Sequence, residues 1–218
     1  MLADWPLLRS LGAEERAALL AVARRRPFER DDVVCHEGDR ADALHLVASG
    51  RLAVTSSLPS GATAMLNVLG PGDYFGELAL LRPAGRRTAT VRALEPAVTL
   101  AVEGRAFRRL CETSPGLEHA LSVLLADQVE TLSRHLVEAL YEGLDVRVNR
   151  RLAELCRIYG HGDGCVELPL TQSQLAELVG GTRPSVNQLL QRLERQGVVA
   201  LGRGRITVVD PAALTALR

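Results

Sequence analysis

Two groups of residues in this chain have types and spacings that can do chemistry. The first lies in GDYFGELALLRPAGRRTATVRA, residues 72–93. Gly76 lets the backbone come close to a ligand, and the amides around Glu77 and Leu78 can donate to a phosphate. Arg87 is then the guanidinium to pair with that phosphate, Thr88 adds a hydroxyl, and Glu77 can accept from ribose hydroxyls. A Gly-Glu pair alone is only a turn; followed by Arg-Thr-Ala within a small barrel, it reads as a phosphate cassette. The second group lies in LTQSQLAELVGGTRPSVNQLLQRLERQGVVALGRGRITVVD. Arg183, Ser185, Asn187 and Gln188 project from the first turns of a helix away from its apolar stripe. Arginine can take guanine O6 and N7 with two hydrogen bonds, and Asn or Gln can take adenine N6 and N7. Each such pair is worth about 1–3 kcal/mol of discrimination. Arg203, Arg205, Thr171 and Thr182 suit phosphate contacts, which position a protein on a duplex without reading it.

These residues need elements to hold them. Thr171 followed three residues later by Gln174 is a capping box, which starts a short helix with Leu175 and Leu178 inward and Gly180-Gly181 at its end. Thr182 caps a second helix that tolerates Pro184 in its first turn, because the amide lost there has no intrahelical partner. Val186, Leu189, Leu190 and Leu193 are its inward stripe, and Gly197 ends it. Helix, glycine turn and second helix make a helix-turn-helix. VVALGRGRITVVD then forms a hairpin turning near Gly202–Gly204, a wing, and VELPL upstream is extended. The phosphate cassette falls in a different landscape: from Asp31 to Val102, short β-branched runs alternate with Gly and Pro turns (EGD, SGR, PSG, GPGD, PAG). That pattern is a compact antiparallel barrel. Its only aromatic residues are Tyr74 and Phe75, so aliphatic side chains fill its core.

Residues 13–26 carry apolar positions at helical spacing and predict an amphipathic helix stopped by Pro27. Between the two regions, Ser114-Pro115 opens a helix that runs unbroken to Gly143. Leu125, Val129, Leu132, Leu136 and Ala139 step along it by four and three, with Ser122 extending the register, as a self-association seam does. A further helix spans 145–160, followed by a turn at HGDG. The chain therefore divides into a barrel domain at 1–113, a dimerisation helix and hinge at 114–143, and a winged helix-turn-helix at 144–218.

Composition sets the outer limits. The 218 residues suffice for two modest domains, and 47% apolar with 24% charged residues is that of an ordinary globular protein. No stretch approaches the roughly 20 apolar residues of a membrane span, and the first residues lack the layout of a secretory signal, so a cytoplasmic, non-membrane protein is expected. The formal net charge is zero, but residues 144–218 hold ten Arg against seven acidic residues. That small excess permits a phosphate-facing surface. Cys35, Cys111, Cys156 and Cys165 have no metal-ligand spacing, so no metal is expected. No catalytic triad or nucleotide-hydrolysis motif is visible, so neither is an enzyme.

On these residues the chain resembles the cAMP receptor protein/FNR family of bacterial regulators. FGELALL with RRTATVRA is similar to its phosphate-binding cassette, and LTQSQLAELVGGTRPSVNQLLQRLERQGVV to its helix-turn-helix. The resemblance implies an α+β fold: an N-terminal cyclic-nucleotide-binding-type jelly-roll barrel, a long dimerisation helix and a C-terminal winged helix-turn-helix. It implies a homodimer that binds a pseudo-palindromic operator in double-stranded DNA, with RNA polymerase as a partner and cAMP as effector. Gly76, Glu77, Leu78, Arg87 and Thr88 fall where the family binds the cyclic phosphate and ribose, and Arg183 on its guanine-reading arginine. The sequence departs from the cAMP-responsive members where they offer a Thr-Ser pair to the adenine: Arg134 and His135 stand there instead. Thr88 in its Arg-Thr-Ala triplet also suits guanine, which makes cGMP the alternative ligand. Pro184 and Gln188 replace the Glu and second Arg of the best-known member, which implies a different operator. An orphan regulator without a nucleotide, and a cyclic-nucleotide module that controls a partner protein, are the alternative readings.

Overall fold

The computed structural model describes residues 5–9, 11–82, 85–160 and 164–216. Pro83-Ala84 of the PAG turn and residues 161–163 of the HGDG turn lie outside them. The chain opens with helices α1 (Pro6–Arg9) and α2 (Ala13–Ala21). Strands β1 (Ala23–Phe28), β2 (Val33–Cys35), β3 (Ala43–Ser49), β4 (Leu52–Ser57), β5 (Thr63–Leu69) and β6 (Tyr74–Phe75) follow. Then come helix α3 (Glu77–Leu80), strands β7 (Thr90–Ala93) and β8 (Ala97–Glu103), and helices α4 (Gly104–Thr113), α5 (Pro115–Tyr141) and α6 (Leu144–Tyr159). The remainder is β9 (Val166–Leu168), α7 (Gln172–Val179), α8 (Arg183–Arg195), β10 (Val199–Gly202), β11 (Arg205–Val208) and α9 (Pro211–Ala216). Two compact units result: Met1–Ser56 with Leu69–Leu132, and Ser57–Val68 with Ser133–Arg218.

The first unit is built on antiparallel sheets of jelly-roll type, with strand orders β1-β8-β3-β6 and β2-β7-β4. Side chains alternate faces along a strand, so β3 serves two cores at once. Leu44 and Leu46 join Trp5, Leu7, Leu19, Val102, Phe107 and Leu117 beneath the helices, while Val47 packs with Leu52, Phe75, Val91 and Ala93. Trp5 fixes the amino-terminal helices to the sheet by donating its indole Nε1 to Val47 O at 3.0 Å.

One sequence expectation fails here. The helix expected over 13–26 ends at Ala21, and Ala23–Phe28 is a strand paired with β8 from Ala23↔Val102 to Phe28↔Ala97. Tertiary pairing overrides the helical spacing of a short arginine-rich run. Pro27 does not stop a helix; it lies on β1 at the sheet edge, where proline is tolerated.

In the second unit, α6, α7 and α8 enclose Val148, Leu152, Leu155, Leu175, Val186, Leu190 and Leu193, all buried. Leu189 of the expected stripe is only half-buried. A three-stranded sheet, β10-β11-β9, adds Leu168, Ile206 and Val208 to this core. β10 and β11 form the expected hairpin, closed at Gly202↔Arg205 with Gly204 at φ 72°. Helix α9, which the sequence reading did not anticipate, follows the wing and packs on α6.

Candidate functional site

The cassette is assembled around Gly76, whose φ of 98° lies in the left-handed region. A Cβ there would sit 2.2 Å from Arg87 Nη1 and 2.8 Å from the Ala43 carbonyl oxygen, so only glycine lets these groups meet. Arg87 Nη2 donates to Asp42 Oδ1 at 2.6 Å and to Ala43 O at 2.9 Å. Its backbone is held by the EGD turn at 37–39, with Arg87 N donating to Asp39 O and Gly38 N to Arg87 O, each at 2.8 Å. Only 3% of the Arg87 side chain is exposed, against 80% for Asp42. Asp42 thus anchors the guanidinium from the solvent side. Burial opposes its ionisation, but the hydrogen bond and positive charge of Arg87 win and hold its carboxyl below the usual range.

Two buried charged groups in this cassette keep atoms unspent. Glu77 is 4% exposed and its Oε2 has no hydrogen-bond partner; neither do Nε and Nη1 of Arg87. Leaving such atoms dry and unpaired is costly, so native proteins seldom do it without a reason. Burial raises the Glu77 pKa, countered by the amides of Glu77 and Leu78 and by Arg87. The amides expected to face a phosphate therefore also favour the Glu77 carboxylate. Leu78 is half-buried and Thr88 exposed.

Sequence reasoning missed two members of this neighbourhood. Asp42 meets Arg87 across 45 residues of sequence, a contact created by the sheet and carrying no local signal. His45, buried on β3, stacks on Phe75 with ring centroids 4.8 Å apart and pairs its Nδ1 with Thr99 Oγ1 at 2.9 Å. Burial, followed by the charge of Arg87, pushes its pKa down to about 4.

The other proposed ligand residues lie on α5. Arg134 is exposed, and His135 Nε2 lies 2.8 Å from Arg151 Nη1, where it accepts. Burial, then the charge of Arg151, lowers the His135 pKa. Nearby, Arg150 joins α6 to the end of α5 through Glu138 at 2.6 Å and Glu142 at 3.1 Å. Along α5, Val129, Leu132 and Leu136 of the expected seam are 63%, 53% and 60% exposed, Ala139 is exposed and Leu125 half-buried. The first turns of the same helix are spent differently, with Leu117, Ala120 and Leu121 buried under the barrel.

In the helix-turn-helix the expected caps form. Thr171 Oγ1 accepts from Gln174 N at 3.2 Å while Thr171 N donates to Gln174 Oε1 at 2.8 Å. Gly180 ends α7 at φ 63°. Thr182 Oγ1 accepts from Ser185 N at 3.4 Å and shares a 2.9 Å hydrogen bond with Ser185 Oγ. Thr182, Arg183 and Gln188 are exposed, with Ser185 and Asn187 half-buried beside them. Arg183 and Asn187, four apart on a helix, share a face. On the wing Arg203 and Arg205 are exposed, and Arg205 pairs with Glu167 at 3.5 Å with both side chains 58% exposed. So exposed a pair is weak and leaves the arginine free to exchange partners.

Among the described residues no helix is long and apolar enough to cross a membrane, and no group of three His, Cys, Asp or Glu side chains could hold a metal ion.

Two known families match the chain. Residues 25–114 match the cyclic nucleotide-binding domain family, and residues 146–217 the Crp-like helix-turn-helix domain family. The cyclic AMP receptor protein of Thermus thermophilus is 32% identical over 209 residues, 96% of this chain and 94% of that one. The cAMP-activated global transcriptional regulator Vfr of Pseudomonas aeruginosa is 28% identical, covering 88% of this chain and 91% of its own. Among solved structures, the catabolite activator protein of Thermus thermophilus is 32% identical with 97% of both chains covered and a TM-score of 0.56. FixK2 of Bradyrhizobium japonicum, at 20% identity with 90% of this chain and 97% of its own covered, shares the fold at a TM-score of 0.78.

Proposed function

The chain belongs to the cAMP receptor protein/FNR family of transcription regulators, and on that premise we propose that it is a homodimeric DNA-binding regulator controlled by a cyclic nucleotide, cAMP first and cGMP as the alternative. Its relatives are regulators, not enzymes, and so is this protein. In this reading residues 1–113 sense the nucleotide, 114–143 carry dimerisation and the hinge, and 144–218 read the operator.

The observation that carries the sensing half is the pair of buried, oppositely charged groups with unspent atoms, Glu77 Oε2 and Arg87 Nε and Nη1. A cyclic phosphate supplies acceptors for the guanidinium, and ribose hydroxyls supply donors for the carboxylate. Gly76, Leu78 and Thr88 complete the sugar-phosphate contacts.

The DNA half rests on the capped α7–α8 pair. Arg183 reads a guanine, with Ser185, Asn187 and Gln188 beside it, while Thr171, Thr182, Arg203 and Arg205 hold phosphates. The exposed seam of α5 joins two copies, so that two recognition helices meet successive major grooves about 34 Å apart. Nucleotide binding favours that arrangement by differential affinity. Calorimetric titration with cAMP and with cGMP, on the intact protein and on Arg87→Ala, is the test. Binding of one nucleotide is expected, weakened by about a hundredfold in the variant. The absence of heat from both would leave DNA binding without a nucleotide effector.

A further inference from the structure

We infer that Arg147 is a positioning residue for DNA reading: from the first turn of α6 it fixes the elbow that aims α8, without itself contacting DNA. The inference deepens the DNA-binding half of the reading above and rests on it.

The elbow between α7 and α8 is Gly180-Gly181-Thr182, two residues of which lack a side chain to restrain the backbone. Something outside the elbow must set its angle. Ala176 O accepts from the amides of both Gly180 and Gly181, which closes the end of α7. The carbonyl of Val179, the last residue of α7, points out of that helix and takes Nη1 of Arg147 at 2.6 Å. A guanidinium at this end of a helix also meets the favourable end of its dipole. The fit is close: a Cβ on Gly180 would lie 3.3 Å from the same Nη1.

Two further contacts come from the same turn of α6. Leu144 presses on the elbow, so that a Cβ on Gly181 would be 2.8 Å from its Cδ1. Asp145 reaches Arg192 of α8 at 3.8 Å, a loose and exposed pair. Of the three, only the Arg147 bond is short, directional and charge-assisted. The backbone amide of Arg147 donates to the carbonyl of Gly143, the glycine between α5 and α6, at 3.2 Å. Rotation of α6 at the hinge therefore pulls on Val179 O, and Arg183, four residues further along the chain, follows.

The test uses full-length protein and a duplex that the wild type itself selects from a random pool, with poly(dI-dC) as non-specific competitor. Arg147→Ala is expected to weaken the selected duplex by about tenfold or more while binding to poly(dI-dC) stays within about twofold. The slope of log affinity against log salt should not change, because no phosphate contact is lost. Hydrogen exchange at the Gly180 and Gly181 amides should quicken, and Arg147→Lys, which keeps a cation near Val179 O, should recover part of both effects. Unchanged affinity, an equal loss on both duplexes, or a salt slope lowered by about one would overturn the inference. If the wild type selects no duplex, the DNA reading itself fails, and elbow exchange that is the same in wild type and both variants then overturns the positioning role as well.

Discussion

Replacing Gly76 by alanine probes the cassette at its tightest point. An alanine at φ 98° is strained by roughly 1–2 kcal/mol from the backbone alone. The new Cβ also meets Arg87 Nη1 at 2.2 Å and a backbone oxygen, Ala43 O, at 2.8 Å. The backbone oxygen cannot swing aside, so the guanidinium must, and it then loses its bonds to Ala43 O and Asp42. Each of those is worth about 1 kcal/mol, the Asp42 one discounted because that carboxylate stands in water. The total is about 3 kcal/mol. Gly38→Ala supplies the control: its φ is 86° and a Cβ there meets nothing within 4 Å, so it isolates the backbone share. The assay is urea denaturation followed by the fluorescence of Trp5, the single tryptophan, which is 1% exposed in the barrel unit and reports on it directly. Equal destabilisation by the two substitutions would refute the reasoning, since it would mean that the guanidinium is not held where Gly76 leaves room for it.

Acid should weaken the barrel through His45. Its folded pKa of about 4 lies below the ordinary 6.5, so the unfolded chain binds more protons between those values. Stability is therefore complete above pH 6.5 and falls by roughly 3 kcal/mol as the pH drops through the window, a slope that His45→Gln should flatten in Trp5-monitored denaturation. Leu136→Glu, on the exposed seam of α5, is expected to shift the protein from dimer to monomer in sedimentation equilibrium at little cost to the monomer's fold. Arg183→Ala should lose about 1–3 kcal/mol on the selected duplex and relax preference at one base position, read by competition with duplexes substituted at that position.

What the sequence made legible follows from how local each signal is. The Thr171–Gln174 capping box, the Thr182 cap, the glycine turns at 180–181 and 204, and the cassette's Gly76 depend on neighbours a few residues away, and the structure has them where the spacing places them. Residues 23–26 carry a helical spacing and become strand because nothing nearby announces β8, the partner of Ala23–Phe28 some seventy residues on. Asp42 and His45 were invisible for the same reason: their partners Arg87 and Thr99 arrive only when the sheets assemble. In the sequence Arg147 is one arginine among several in α6, and only the carbonyl of Val179 gives it a role. The seam on α5 was legible as a pattern, and its exposure of 53–63% at Val129, Leu132 and Leu136 in a single chain is what a second copy would cover.

The central claim couples nucleotide to operator, so the most direct measurement is the affinity of the wild-type protein for its selected duplex with and without saturating cAMP or cGMP, at one fixed salt concentration. The account predicts tighter binding with one of the two nucleotides, and no such gain in Arg87→Ala. Identical affinities in all three conditions would contradict it.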